Sequence, residues 1–515
     1  MKQKVLLLFC VILLSCGVYA QRETYNWFFG ANCGLTWNET RSYAAIGMNT
    51  ANTTLHDLPK TITSSIATSE GCFSLSDRSG QVLFYSDGIS IWNKENNPMP
   101  NANGSLTGHS SSTQSGIIIP YPKAHNKYIA ITLGQGVTNN LSYSVIDMTL
   151  ENGLGDVTNE KNIKFLGHGG LLGETVTAVR HANKADYWVV AVGRGNPTYF
   201  NAWLVTKDGP QVASPVTSFQ SPLTNTATNP CGYFKFSPNG KHFAWQAYNV
   251  PNIVYGDFDT NTGIFSNVKS KSVPAAIYGN WGYSLEFSNS GKYLYLSWPN
   301  AAGAGVTSFQ SALAVFNFED LLVSSATNYI KLLVHPSGSN VSYGALQMGP
   351  DGRMYCGRTY TDGMYVIDNP EDPENLRVYR LDNFVNGTVL LGLPSFTSAW
   401  FDTQIIGPNP PDACINKVQT FSLEVSKGSG QDEISHTEWD FGDDQPGSVI
   451  TDTDMTPASG KQEHFYTYTK PGTYTITVKS FLVSDGLELP QARQTFEINI
   501  YRCVMPVNPN IHIYK

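Results

Sequence analysis

Charge is what this sequence has least of. Charged residues make up 14% of its 515 residues, against roughly a quarter in ordinary soluble domains. The net charge is −8 and no stretch gathers basic residues, which argues against a nucleic-acid groove or an anionic membrane surface as partner. No apolar run reaches the ~20 residues that a membrane-spanning helix needs; residues 5–14 are the nearest approach. There is no Cys-x-x-Cys or Cys/His spacing to hold zinc. Gly-x-Ser-x-Gly, His-Glu-x-x-His and a phosphate-cradling glycine loop are also missing. Helical periodicity is scarce, apart from one turn near 318–322.

What the chain has instead is aromatic and turn-forming residues. Aromatics are 12%, with 27 Tyr, and there are 46 Gly, the profile of an all-β exported protein. Lys2 and Lys4, the apolar run at 5–14 and Val18-Tyr19-Ala20 make residues 1–20 a secretory signal peptide with cleavage after Ala20. Leu13-Leu14-Ser15-Cys16 offers the alternative of a lipoprotein box with Cys16 acylated. The expected address is the cell surface, the outer membrane or the periplasm. Cleavage after Ala20 leaves Cys33, Cys72, Cys231, Cys356, Cys414 and Cys503, an even number that in an exported protein favours disulfides over metal. Cys414 and Cys503 bracket the C-terminal part, and a bond between them would join its first and last strands. A loop of that length is worth roughly 4–5 kcal/mol in the chain-entropy account. Free buried cysteines are the alternative.

A turn recurs along residues 21–405. It reads Phe236-Ser237-Pro238-Asn239-Gly240-Lys241, then Phe287-Ser288-Asn289-Ser290-Gly291-Lys292, then Met348-Gly349-Pro350-Asp351-Gly352-Arg353, with a weaker copy at Leu75-Ser76-Asp77-Arg78-Ser79-Gly80-Gln81. Each copy lies between short β-rich runs, where Pro or Asn starts a tight hairpin and Gly takes the positive φ. The strong copies are 51 and 61 residues apart, a period that fits the four-stranded blades of a β-propeller. Blades are expected to begin near Gly71, Gly116, Val176, Gly232, Gly282 and Gly344. A seventh would form if 26–37 paired with 395–401 and closed the ring, removing exposed edges; six or eight blades are the alternatives. A stiff Pro-rich linker follows at 406–413.

Residues 414–505 read as a second, smaller β domain, with a short tail at 506–515. Trp439-Asp440-Phe441-Gly442-Asp443 is followed by His464-Phe465-Tyr466-Thr467-Tyr468-Thr469-Lys470-Pro471-Gly472-Thr473-Tyr474 and Thr475-Ile476-Thr477-Val478. Tyr474, Ile476 and Val478 alternate onto one face, and Pro471-Gly472 supplies a turn before them. Asp440, Asp443 and Asp444 suit turn chemistry; a Ca2+ site would need about six or more converging oxygens. The two runs resemble the signature of the PKD domain, an immunoglobulin-like β-sandwich of surface proteins. The larger domain also carries a resemblance. Leu83-Phe84-Tyr85-Ser86-Asp87-Gly88, Gly108-His109-Ser110-Ser111-Ser112-Thr113-Gln114-Ser115-Gly116, Thr177-Ala178-Val179-Arg180-His181 and Gly392-Leu393-Pro394 look like the N-terminal propeller of Bacteroidetes surface proteins. In that family PKD modules and a sorting domain for type IX secretion follow, sometimes with a gliding-motility label. Only 504–515 follow Cys503, too few for a sorting domain; this departs from the family's pattern and leaves a periplasmic or outer-membrane-associated protein, an accessory of such machinery among the options.

Candidate binding residues follow from residue type. His109 lies in a hydroxyl-rich segment suited to a propeller mouth, or to turns that satisfy their own backbone. Arg180 and His181 precede Asp186 and would form a cluster at the channel, or end a strand with bonds inside one blade. Glu174, Asp87 and Glu286 are candidate acids, though glycoside chemistry needs a pair roughly 5–10 Å apart and nothing in the sequence pairs them. Tyr199, Phe200, Trp203, Tyr278, Trp281 and Tyr283 could make a sugar or peptide platform, or blade core. The function expected is non-catalytic binding or scaffolding in the cell envelope, through a protein partner and without a cofactor. The alternative is a carbohydrate-binding or carbohydrate-active propeller with the PKD-like module as accessory.

Overall fold

The computed structural model describes residues 22–501 except 78, 125, 137–139, 167–169, 184, 195–197, 217–230, 248–251, 273–281, 300–310, 325–327, 336–340, 399–412, 417, 426, 428–432, 458–460 and 490–492. The chain is all-β, with a propeller followed by an immunoglobulin-like sandwich. Six sheets succeed one another, each led by an inner strand: Phe73–Ser76, Gly116–Pro120, Leu172–Arg180, Phe234–Phe236, Ser284–Phe287 and Tyr343–Met348. They begin at or within a few residues of the positions expected. Successive inner strands lie side by side, and each blade adds antiparallel strands outward, as in Phe234–Phe236, His242–Gln246, Asn252–Asp259 and Ile264–Ser272.

The ring closes differently from the expectation. The N-terminal residues pair with themselves, Asn26–Phe29 against Cys33–Gly47 and then Thr53–Thr61. This seventh sheet lies beside Phe73–Ser76 and joins the sixth blade through Ile46 with Arg380 and Gly47 with Tyr379. Among the described residues, 395–398 do not make the expected ladder with 26–37: the Ser395 N–H is donated instead to the Cys72 carbonyl at 2.8 Å; 399–401 lie outside the described residues. The N-terminal run includes its own hairpin turn, so its hydrogen bonds are taken locally before the C-terminal segment arrives.

The recurring turns share a glycine whose N–H bonds the carbonyl three residues back, and they close over a span of five residues in two copies and four in the other two. Ser237 N–H bonds the His242 carbonyl, Ser288 the Tyr293 carbonyl, Gly349 the Arg353 carbonyl and Asp77 the Gln81 carbonyl, at 2.7 to 2.9 Å. The glycine needed for positive φ is Gly240, Gly291, Gly352 or Gly80, at 71°, 74°, 77° and 88°. Alternation then sorts the core. Ile117 and Ile119 pack toward Val176 and Ala178 of the next blade, while Ile118 packs toward Phe84 and Tyr85 of the preceding one. Both faces of a blade are covered, so the inner strands are buried almost throughout, even where they carry Glu174, Lys235, Glu286 or Gln347. Among the described residues the one α-helical segment is Phe318–Val323, capped by the Asn317 side chain, with 3-10 turns at Pro100–Ala102 and Glu151–Gly153.

The C-terminal sandwich has a five-stranded sheet, Ala413–Cys414, Gln494–Tyr501, Gly472–Leu482, Ile434–Asp440 and Val449–Asp452, and a pair, Val418–Glu424 with Lys461–Thr467. Trp439, Phe441, Ile476 and Val478 are its core, with Tyr474 packed at the edge. The aspartates do turn work: Asp440 Oδ1 accepts from the Gly442 N–H at 2.9 Å and Asp443 Oδ1 from the Gln445 N–H at 3.0 Å. Pro471 and Gly472 are exposed at the start of their strand.

The cysteines depart from the disulfide expectation. Cys33, Cys72, Cys231 and Cys356 are buried thiols that form no disulfide. They pack as small apolar groups; Cys356 Sγ donates to the Gly344 carbonyl at 3.6 Å, and burial pushes the Cys33 thiol up to about 12. The backbone of Cys414 pairs in parallel with Tyr501, so first and last strands are neighbours; Cys503 lies outside the described residues, and so does the expected Cys414–Cys503 bond.

Candidate functional site

The inner strands start at one end of the ring, and the turns that follow them, the four recurring ones included, lie at the other. Residues that precede or open the inner strands therefore converge at a common mouth. Glu70, three residues ahead of Phe73–Ser76, meets Glu174, the third residue of Leu172–Arg180. Glu70 accepts from Ser111 Oγ at 3.1 Å and from the Tyr283 hydroxyl at 3.3 Å. Glu174 accepts from the Gly136 N–H at 2.6 Å and the Thr113 N–H at 3.3 Å. Glu174 is 7% exposed, whereas Glu70 is partly open to solvent. Burial, reinforced by the Glu174 charge, raises the Glu70 carboxyl to about 7, against the hydrogen bonds that favour its ionised form. The buried Cys231 thiol feels both carboxylates, and burial first, then their charge, pushes it well up.

The hydroxyl-rich run 109–116 builds this mouth. Ser112 Oγ donates to the Leu133 carbonyl at 3.1 Å, and Ser111 and Thr113 hold the two acids. The Gln114 side chain crosses to another blade, donating to the Phe234 carbonyl at 3.3 Å and accepting the Phe234 N–H at 3.0 Å. His109 is partly buried there, its Nδ1 accepting from the Ser111 N–H at 3.1 Å. Burial raises the neighbouring Asp87 carboxyl, while the Ser90 and Ile89 N–H groups, and more weakly His109, draw it back.

Below the mouth, three inner strands bring polar side chains together at the axis. Lys235, Glu286 and Gln347 precede the last residue of their inner strands, one in each of three consecutive blades. Lys235 Nζ lies 2.8 Å from Glu286 Oε2 and 2.6 Å from Gln347 Oε1. Phe396 and Ser398 complete the lining together with Thr177. The remaining room is about 20 Å³, enough for a water. Among the described residues no group of three or more His, Cys, Asp or Glu converges to hold a metal.

Other expected residues fall elsewhere. Arg180 and His181 lie at the turn end, not the mouth. Arg180 Nη2 reaches the Tyr187 hydroxyl at 3.4 Å within its own blade, and His181 Nε2 contacts the Asn261 carbonyl at 3.1 Å. The Asp186 side chain instead accepts from Asn183, so the expected Arg/His/Asp cluster does not assemble. Trp203 is fully buried and donates to the Leu166 carbonyl at 3.0 Å; it is blade core rather than a platform, because its strand is covered on both faces. Trp281 and Tyr278 lie outside the described residues. Of the aromatic set, Tyr283 joins the site. Glu70 was not singled out in the sequence; its place directly before Gly71, where a blade was expected to begin, is the signal that could have found it.

No curated protein matches the chain. Among solved structures, a Bacteroides uniformis protein described provisionally as a 6-phosphogluconolactonase is 13% identical, with 84% of this chain and 98% of that one covered and a TM-score of 0.35. The periplasmic gluconolactonase of Pseudomonas aeruginosa is 10% identical over 80% of this chain and 92% of that one, TM-score 0.34. The Swd1 β-propeller domain of Myceliophthora thermophila is 10% identical over 70% and 97%, TM-score 0.31. No helix among the described residues is long and apolar enough to cross a membrane. The C-terminal part is identified by sequence: the family model of the PKD domain matches residues 407–500.

Proposed function

We propose that this protein is a non-catalytic binding component of the bacterial cell envelope, engaging a protein partner at the propeller mouth. The PKD domain acts as spacer or second docking surface. The observation that carries this reading is the cluster at the centre of the ring, where Lys235, Glu286 and Gln347 bond one another and leave the polar groups of the rim as the surface we assign to a partner. The rim is polar and acidic, built on Glu70, Ser111 and His109, which suits a basic or hydrogen-bonding protein surface. A role beside the type IX secretion or gliding machinery rests on the sequence resemblance. The test is co-purification of the tagged full chain from its own envelope: a stable protein partner is expected, and recovery of none would overturn the reading.

One observation favours the carbohydrate alternative. Glu70 and Glu174 form a carboxylate pair in which one member holds its proton near neutrality, the division of labour that acid/base hydrolysis uses. Turnover of polysaccharide pools that is lost in Glu70→Gln would establish that reading; glycan binding without turnover would make the propeller a lectin.

A further inference from the structure

Residues 389–398 have a role that neither the mouth nor the C-terminal module explains. They follow the outer strand Val378–Leu381 of the sixth blade and turn inward. The Leu391 carbonyl accepts the Ala345 N–H at 2.8 Å, while the Leu391 N–H is donated to the Ser69 carbonyl at 3.0 Å. Leu393 meets the Tyr233 hydroxyl through its N–H and its carbonyl, each at 3.3 Å. The Ser395 N–H bonds the Cys72 carbonyl at 2.8 Å, and Thr397 Oγ1 donates to the Ala178 carbonyl at 2.9 Å. Ser398 then lines the axial cavity beside Pro238 and Asn289 of the recurring turns. In sequence order, these partners move from the mouth level, Ser69 and Tyr233, to the turn level, Pro238 and Asn289. They belong to five different blades, the first, third, fourth, fifth and sixth, so the segment runs down the axis.

We propose that residues 389–398 are an axial lock. They tie together blades that share no sheet and join the mouth to the chain leading into the PKD domain. Backbone hydrogen bonds to non-adjacent blades bear on closure of the whole ring, which no single blade edge does. The lock also shares a residue with the mouth. Glu70 presents its carboxyl to Ser111 and Tyr283, while its carbonyl abuts Gly392, where a Cβ would sit 1.9 Å away. Only glycine fits there, because the obstacle is backbone.

Hydrogen exchange of the full chain tests the lock. The amides of Leu391 and Ser395 should be protected to within a factor of about ten of inner-strand amides, because they open only with the ring. Exchange as fast as in exposed turns would overturn the proposal. Gly392→Ala should raise exchange around Cys72 and Tyr233 as well as within 389–398; an effect confined to 389–398 would also overturn it. Should that variant fail to fold, Thr397→Val removes a single hydroxyl. It should speed exchange in the strand Leu172–Arg180, and no change there would count against the lock.

Discussion

Lys235 and Glu286 form an ion pair at the centre of the ring, Nζ to Oε2 at 2.8 Å, with side chains 6% and 8% exposed. Burying two charges is costly, and the cost is offset only while both are present and hydrogen-bonded. Gln347 and the Phe287 N–H, which bonds Glu286 Oε1 at 3.1 Å, supply the remaining contacts. Lys235→Met alone should therefore destabilise the propeller by about 3–5 kcal/mol, since it strands a buried carboxylate. The double variant Lys235→Met with Glu286→Leu should recover most of that loss. Urea midpoints of the propeller transition read both.

Glu70 predicts a pH dependence with a definite sign. Its folded-state affinity for a proton is raised, to about 7, so the folded state binds more protons than the unfolded one between the ordinary glutamate range and that value. Its contribution to stability is then fully present at acid pH and is lost as pH rises toward and through about 7. Glu70→Gln should remove this component. The variant should gain on the parent protein at pH 8 and lose that advantage at pH 4.5, compared by denaturant midpoint at each pH. A difference that does not change with pH would contradict the assignment.

Gly442 should be irreplaceable in the PKD domain. Its φ is 68°, and a Cβ there would lie 2.3 Å from the Thr475 carbonyl oxygen. Gly442→Ala should cost about 1–3 kcal/mol from the backbone conformation, and more from the clash. Calorimetry of the full chain should show the C-terminal transition moving down while the propeller transition stays. Since the turn aspartates already accept backbone N–H groups, added calcium should leave both transitions unmoved.

The four propeller thiols should be silent in the native state. Cys33, Cys72, Cys231 and Cys356 are buried, and a buried thiol exposes little reactive thiolate. Alkylation by iodoacetamide should be slow until denaturant unfolds the ring and then reach all four. Reducing agents should not shift the propeller's melting.

How far the sequence discloses this molecule depends on how local each signal is. The recurring turn is legible because Gly240, Gly291 and Gly352 answer a steric demand within four residues. The core of the PKD domain is legible because Tyr474, Ile476 and Val478 alternate. The mouth is half legible: Glu174, His109 and the hydroxyl run stand out, but Glu70 and Glu174 are brought together by the closing of the ring. The axial segment is legible only in part: Gly392-Leu393-Pro394 stands out and 395–401 reads as closing the ring, but its true partners do not show. It makes scattered bonds to Ser69, Cys72, Ala178 and Tyr233 instead of a ladder with a period. Trp203 misleads for a related reason, since composition does not reveal that both faces of its strand are covered.

The central claim is that the mouth, not the turn end and not the channel, is the working surface. The most direct measurement is quantitative co-purification from the native envelope using the full chain, its Glu70→Lys variant and its Arg180→Ala variant, each checked for folding by circular dichroism. The account predicts that one protein partner is recovered with the parent chain, that Glu70→Lys loses it by tenfold or more, about 1.4 kcal/mol, and that Arg180→Ala keeps it. Equal recovery with Glu70→Lys, or loss confined to Arg180→Ala, would contradict it.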